Sequence, residues 1–185
     1  MAASGGRPSG YVLLVGGARS GKSTLAVELA ASSARHVLYV ATAEPGDADM
    51  AARIDRHRAE RPPGWATVEA PLDVGGAIVR ADHDAFVVVD CVTLWVANLV
   101  FADRTDDEVL TAASALAGAL ATRAAPSVVV TNEVGLGVHP ETALGRRYRD
   151  LLGGVNRVVA AGAWRSLLLV AGRAVRLDDP LELLR

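Results

Sequence analysis

The sequence predicts an α/β domain with a mainly parallel central sheet and helices on both of its faces. Three observations carry this. Short apolar runs recur along the chain, longer alanine-rich stretches of helical character separate them, and the runs are continuously apolar rather than alternating. A continuous run suits a strand buried on both sides, and strands separated by helices favour right-handed crossovers within one parallel sheet.

The elements follow in order. Tyr11–Val15 reads as the first strand, and a glycine-rich segment leads from it into a helix over Lys22–Ala34. Val37–Ala41 is the second strand and Asp47–Glu60 the second helix, stopped by the turn Arg61-Pro62-Pro63-Gly64. A helix over Leu72–Ala81 precedes the strand Phe86–Asp90. Helices over Val92–Phe101 and Asp106–Arg123 then lead to the strand Ser127–Thr131. Helix Leu144–Ala163 and strand Ser166–Val170 complete the pattern. No internal repeat interrupts it.

Composition sets outer bounds. The chain has 185 residues, 51% of them hydrophobic, which suits a single domain over residues 11–185. Residues 1–10 are small and polar and read as a disordered arm without the apolar stretch of a signal peptide. A formal net charge of −2 gives no reason to expect a nucleic acid partner. No apolar run approaches the roughly 20 residues of a membrane helix, so membrane insertion is not expected and the cytoplasm is the expected location. Cys91 is the one cysteine, which excludes an internal disulfide.

The chemistry begins at the first glycine-rich turn. Gly16-Gly17-Ala18-Arg19-Ser20-Gly21-Lys22-Ser23 matches G-x-x-x-x-G-K-[ST] at every fixed position, with a strand before it and a helix after it. Glycines let the backbone turn tightly enough for successive amides to converge on phosphate oxygens, and the helix adds its N-terminal dipole. Lys22 then neutralises the terminal phosphates of ATP or GTP, and the Ser23 hydroxyl is placed to ligate Mg²⁺. The fold class sharpens accordingly to a P-loop NTPase of RecA-like type. Asp90 ends an apolar strand in the manner of a Walker B carboxylate; it serves either as a metal ligand or as a cap for the next helix.

A P-loop alone leaves small-molecule kinases, nucleotide switches and motor ATPases open. Three further segments narrow the choice: Ala41-Thr42-Ala43-Glu44 after the second strand; Met50–Pro62, with Arg53, His57, Arg58 and Arg61, followed by Trp65 and Thr67-Val68-Glu69; and Thr131-Asn132-Glu133-Val134-Gly135 after the fourth. Together with the P-loop, and in this order from Tyr11 to Val170, they resemble the bifunctional adenosylcobinamide kinase/adenosylcobinamide-phosphate guanylyltransferase family of cobalamin biosynthesis.

The resemblance implies two activities at one nucleotide site. Adenosylcobinamide is phosphorylated with ATP or GTP; GMP from GTP is then carried on a guanylylated histidine to adenosylcobinamide phosphate. It places that histidine at His57, and nucleotide contacts at Arg58, Ala59, Glu60, Arg61 and Glu69 and in the loop Thr42-Ala43-Glu44. It also implies a homo-oligomer, with a trimer as the expected form. Asp90 stands where some members carry Glu, which leaves its role divided between metal and nucleoside.

Elementary chemistry supports the histidine. Neutral imidazole is a good nucleophile near pH 7, and its attack on the α-phosphate divides one hard transfer into two easier ones. Arg53 and His57 lie four residues apart and share a helix face, which Arg61 extends by a turn, a row suited to a triphosphate. A solvated arginine-rich face is the competing reading of the same pattern. Arg53 and Glu133 are further candidates for substrate contact, Glu133 either activating a hydroxyl or capping the segment that follows.

Overall fold

The computed structural model describes residues 10–184. Seven strands form one sheet: β1 (Tyr11–Gly16), β2 (Val37–Ala41), β3 (Ala66–Glu69), β4 (Phe86–Asp90), β5 (Ser127–Val130), β6 (Arg165–Val170) and β7 (Arg173–Leu177). Their spatial order is β3-β2-β4-β5-β1-β6-β7. Every pairing is parallel except that of β7 with β6. Six helices accompany them: α1 (Lys22–Ala31), α2 (Ala48–Ala59), α3 (Val74–Arg80), α4 (Val92–Phe101), α5 (Asp106–Ala121) and α6 (Ala143–Gly162).

The continuous apolar runs are strands with two buried faces. Leu13, Val87, Val89 and Val129 point into a core shared with α3, α4, α5 and α6. Their neighbours Leu14, Val88, Val128 and Val130 point into a second core, under α1. Alternate side chains along a strand leave on opposite faces, so each run feeds both cores.

Helix starts follow local hydrogen-bonding chemistry. Asp47 caps α2 by accepting from the Met50 amide at 2.7 Å, and Asp73 accepts from Gly76 at 2.8 Å. Thr105 and Glu108 form a reciprocal capping box at α5. Each satisfies amides that a helix N-terminus leaves unpaired.

Three expectations are revised. The last parallel strand, β6, is not buried on both faces: Ser166 and Leu169 are buried, while Arg165 and Val170 are exposed, because only the short strand β7 lies beyond it. β3 and β7 are additional; both are edge strands with exposed polar residues and no apolar run. Residues 1–9 of the expected arm lie outside the described residues; Gly10 is buried and its amide donates to the Arg123 carbonyl at 3.3 Å. No helix among the described residues is long and apolar enough to cross a membrane.

Candidate nucleotide-binding site

The turn from β1 into α1 is braced from several sides. Gly16 is buried, and a side chain there would bring a Cβ within 2.4 Å of the Leu169 carbonyl oxygen. Arg19 and Gly21 adopt positive φ, 58° and 97°, which lets the loop curl. The Gly172 amide, in the β6–β7 turn, donates to the Ser20 carbonyl at 3.1 Å, and the Glu133 amide donates to the Gly16 carbonyl at 3.3 Å. The loop is therefore tied to both strands flanking β1, a rigid backing for a phosphate cradle.

Lys22 is 6% exposed. Its Nζ donates to the Gly17 carbonyl at 2.6 Å and to Ser20 Oγ at 3.3 Å, so its charge is held at the loop. Burial draws its pKa below the usual lysine range, and the nearby Asp90 carboxylate acts against that shift.

A cleft of about 350 Å³ opens above the loop. Ala18, Arg19, Ser20, Gly21, Lys22 and Ser23 form its floor; Ala43, Asp90 and Asn132 come from strand ends; Arg53, His57, Arg58, Glu60 and Arg61 come from α2 and the turn after it; Glu69 comes from β3. The parallel strand ends place these groups at the carboxyl edge of the sheet, where open α/β sheets bind ligands. His57 is the one histidine on its wall among the described residues.

Helix α2 reaches the cleft without entering either core. None of its residues is buried, but Met50, Ile54 and His57 are half-buried on one face, and Arg61 continues that face beyond the helix end. The spacing is the helical one expected for a single stripe. Two contacts anchor its C-terminal end. Arg58 pairs with Glu69 at 2.6 Å, and the Arg61 guanidinium lies 3.8 Å from the centre of the Tyr39 ring.

Several expected contacts fall elsewhere. Thr42 is fully buried; its hydroxyl donates to the Cys91 carbonyl and accepts from the Cys91 amide, both at 2.8 Å. Its side chain thus pins the end of β2 to the end of β4. Glu133 Oε1 accepts from the Gly135 amide at 2.6 Å, the capping alternative of its two readings, and it does not line the cleft. Glu44 and Ala59 are exposed and also lie off the cleft wall. Gly16 and Gly17 shape the loop beneath it.

Other cleft residues were not legible as such. Tyr39 reads as strand core, yet its hydroxyl donates to Asp90 Oδ2 at 2.5 Å, and burial followed by the Asp90 charge pushes its phenol strongly upward. Asn132 is held by a buried network: its amide donates to Thr93 Oγ1 at 2.7 Å and its carbonyl accepts from Asn156 Nδ2 at 3.0 Å. The signal for Tyr39 was its place two residues before a strand end bordering the cradle.

This arrangement can be set beside known proteins. The family model for cobinamide kinase / cobinamide phosphate guanyltransferase matches residues 12–177. The chain belongs to that family. It is 44% identical over 175 residues to the bifunctional adenosylcobalamin biosynthesis protein CobP of Pseudomonas aeruginosa, covering 91% of this chain and 98% of the relative. Identity to the CobU proteins of Escherichia coli K12 and Salmonella typhimurium LT2 is 39% in both cases, over 90% of this chain and 98% of each relative. Among solved structures, the RadB recombinase aligns at a TM-score of 0.51 with 17% identity, covering 87% of this chain and 74% of that one. A Pyrococcus horikoshii OT3 protein aligns at 0.55 with 8% identity, covering 92% and 87%. At these identities the structural neighbours speak to the fold alone, a P-loop α/β fold. Membership of the family, with its P-loop, goes with nucleotide binding.

Proposed function

We propose that the chain, as one domain, phosphorylates adenosylcobinamide with ATP or GTP and then transfers GMP from GTP to the adenosylcobinamide phosphate so formed. The observation that carries this reading is that His57 and Lys22 line the same cleft. A phosphate cradle alone supports a kinase; a histidine facing the cradle adds a nucleophile for the α-phosphate.

In the first reaction the cradle amides and Lys22 hold the donor's phosphates while the γ-phosphoryl passes to the corrinoid hydroxyl. In the second, a His57 ring nitrogen attacks the α-phosphorus of GTP. A P–N bond forms, the α–β P–O bond breaks, and pyrophosphate leaves against Lys22 and the arginines Arg53, Arg58 and Arg61. The acceptor phosphate then attacks the same phosphorus, releasing His57 and yielding adenosylcobinamide-GDP.

The donor set suits magnesium, a hard cation that takes oxygen ligands and commonly uses one carboxylate beside substrate phosphates. Ser23 and Asp90 both face the cleft and would hold it, and the ion would offset the negative charge of the phosphates. The protein is further proposed to act in the cytoplasm and to assemble as a homo-oligomer, a trimer being the form the family resemblance implies. The exposed edge strand β7, with Val175 and Leu177 outward, supports self-association.

The test is covalent labelling. Purified protein, Mg²⁺ and GTP labelled at the α-phosphate are mixed, and the denatured chain is examined for label, with His57→Ala and γ-labelled GTP in parallel. Acid-labile, alkali-stable α-label that vanishes in His57→Ala is the expected result. Absence of α-label in the wild type, with nucleotide still bound, rejects the guanylyl transfer and leaves a kinase.

A further inference from the structure

Tyr39 touches two parts of the cleft through two parts of one side chain. It sits on β2 and is 2% exposed. Its hydroxyl meets Asp90 Oδ2 at 2.5 Å, while its ring face carries the Arg61 guanidinium at 3.8 Å. Arg61 has few other ties: Nη1 donates to Thr67 Oγ1 at 3.3 Å, and Nε is buried without a hydrogen-bond partner. The ring is therefore the main seat of this guanidinium.

That seat matters because α2 contributes no buried residue to the fold. A helix that buries no residue fully leans on the contacts at its C-terminal end. One is the Arg58–Glu69 pair, both of whose side chains are more than half exposed. The other is Arg61 on Tyr39, where the cation lies over a desolvated aromatic face. The group that orients Asp90 is thus the group that fixes the end of the helix bearing His57.

We propose that Tyr39 is a positioning residue joining the two chemistries of the cleft: its hydroxyl sets the Asp90 carboxylate, and its ring seats Arg61 and with it the helix that carries His57. The inference rests on the reading of His57 as nucleophile and Asp90 as a nucleotide-side carboxylate, but its structural half is testable without either. A phenylalanine at this position keeps the ring and loses the hydroxyl, so the two halves separate.

The experiment compares wild type, Tyr39→Phe, Tyr39→Leu, Arg61→Ala and the Tyr39→Leu/Arg61→Ala double variant. Hydrogen exchange of the Ala48–Ala59 amides reads the seating of α2. Affinity for a fluorescent GTP analogue as a function of magnesium reads the Asp90 arm, with Asp90→Asn and Tyr39→Phe/Asp90→Asn alongside. Exchange in Tyr39→Leu and Arg61→Ala should quicken about tenfold, in line with loss of a desolvated cation–π contact. The double variant should be no faster than either single, and Tyr39→Phe should match wild type.

Tyr39→Phe should weaken magnesium-dependent affinity about 10- to 100-fold, the scale of one hydrogen bond to a charged group, with no further effect once Asp90 is Asn. Additive exchange in the double variant, or fast exchange in Tyr39→Phe, overturns the ring arm; unchanged affinity in Tyr39→Phe overturns the hydroxyl arm. If Tyr39→Leu fails to fold, Arg61→Ala decides the ring arm by itself, unchanged exchange counting against it. If wild type takes no α-label on His57, the transfer reaction falls while the exchange data still decide whether Tyr39 seats the helix.

Discussion

Arg58 and Glu69 meet at 2.6 Å across the mouth of the cleft, joining the last turn of α2 to the end of β3. The family resemblance implied both as nucleotide contacts; in the structure each is the other's partner. The pair is largely exposed, so its role is orientation of the helix more than stability.

Glu69→Gln should therefore change the free energy of unfolding by less than about 1 kcal/mol, as for other exposed ion pairs. The rate at which His57 takes up GMP should fall several-fold, with wild type approaching the variant as salt screens the pair. Urea denaturation and single-turnover labelling at low and high ionic strength check both halves.

Lys22→Ala removes the buried ammonium from the phosphate cradle. Nucleotide affinity should drop about 10- to 100-fold, the equivalent of losing one charge-assisted hydrogen bond of ~1.5–3 kcal/mol. Both transfers should suffer together, because both use the cradle. Fluorescence titration with ATP and with GTP is the measurement, and loss of one affinity without the other would break the single-site reading.

Gly16→Ala places a Cβ 2.4 Å from the Leu169 carbonyl and 2.9 Å from Ser20 Oγ. The first neighbour is backbone of a paired strand and cannot yield cheaply. Destabilisation of about 1–3 kcal/mol is expected, the usual range for forced overpacking, with a lower melting temperature even without nucleotide. Gly17→Ala, where the added carbon meets nothing within 4 Å, is the matched control for stability.

Tyr11 should carry part of the alkaline decline in stability, beside Tyr39, Tyr148 and Cys91, which burial also pushes upward. The Tyr11 hydroxyl donates to the Val159 carbonyl at 2.5 Å, and burial pushes its pKa up to about 12. The folded pKa lies above the unfolded one near 10, so the folded state keeps its proton where the unfolded chain has lost it. That contribution is complete below about pH 10 and lost as pH rises towards 12. Tyr11→Phe should make the decline in this window shallower, measured by urea midpoints from pH 9 to 11.5; an unchanged slope would remove Tyr11 as a contributor.

How much of this was legible in the sequence depended on how local the physics was. Leu13 and Leu14 serve opposite cores, so uninterrupted apolarity marked the central strands. β3 and β7 escaped because edge strands need no apolar run; Arg173–Leu177 carries two arginines and looks like solvent-facing chain. The cradle was readable because its amides, lysine and serine are contiguous. Asp90 was visible at a strand end, but its hydroxyl partner lies 51 residues away on Tyr39, and the Arg61 stack spans another long interval of chain. Thr42 was placed near the nucleotide by resemblance; only the fold showed its hydroxyl committed to the Cys91 backbone.

Because Lys22 and His57 share one cleft, the two proposed reactions must take turns. A molecule of ATP seated for the first transfer keeps GTP from the second, so each donor acts as a competitor in the other's half of the cycle. Pyrophosphate, released where the next triphosphate must land, slows both. The balance of adenine to guanine nucleotides around the enzyme would then set how much phosphorylated intermediate accumulates, a metabolic ratio acting as the clock for a shared site.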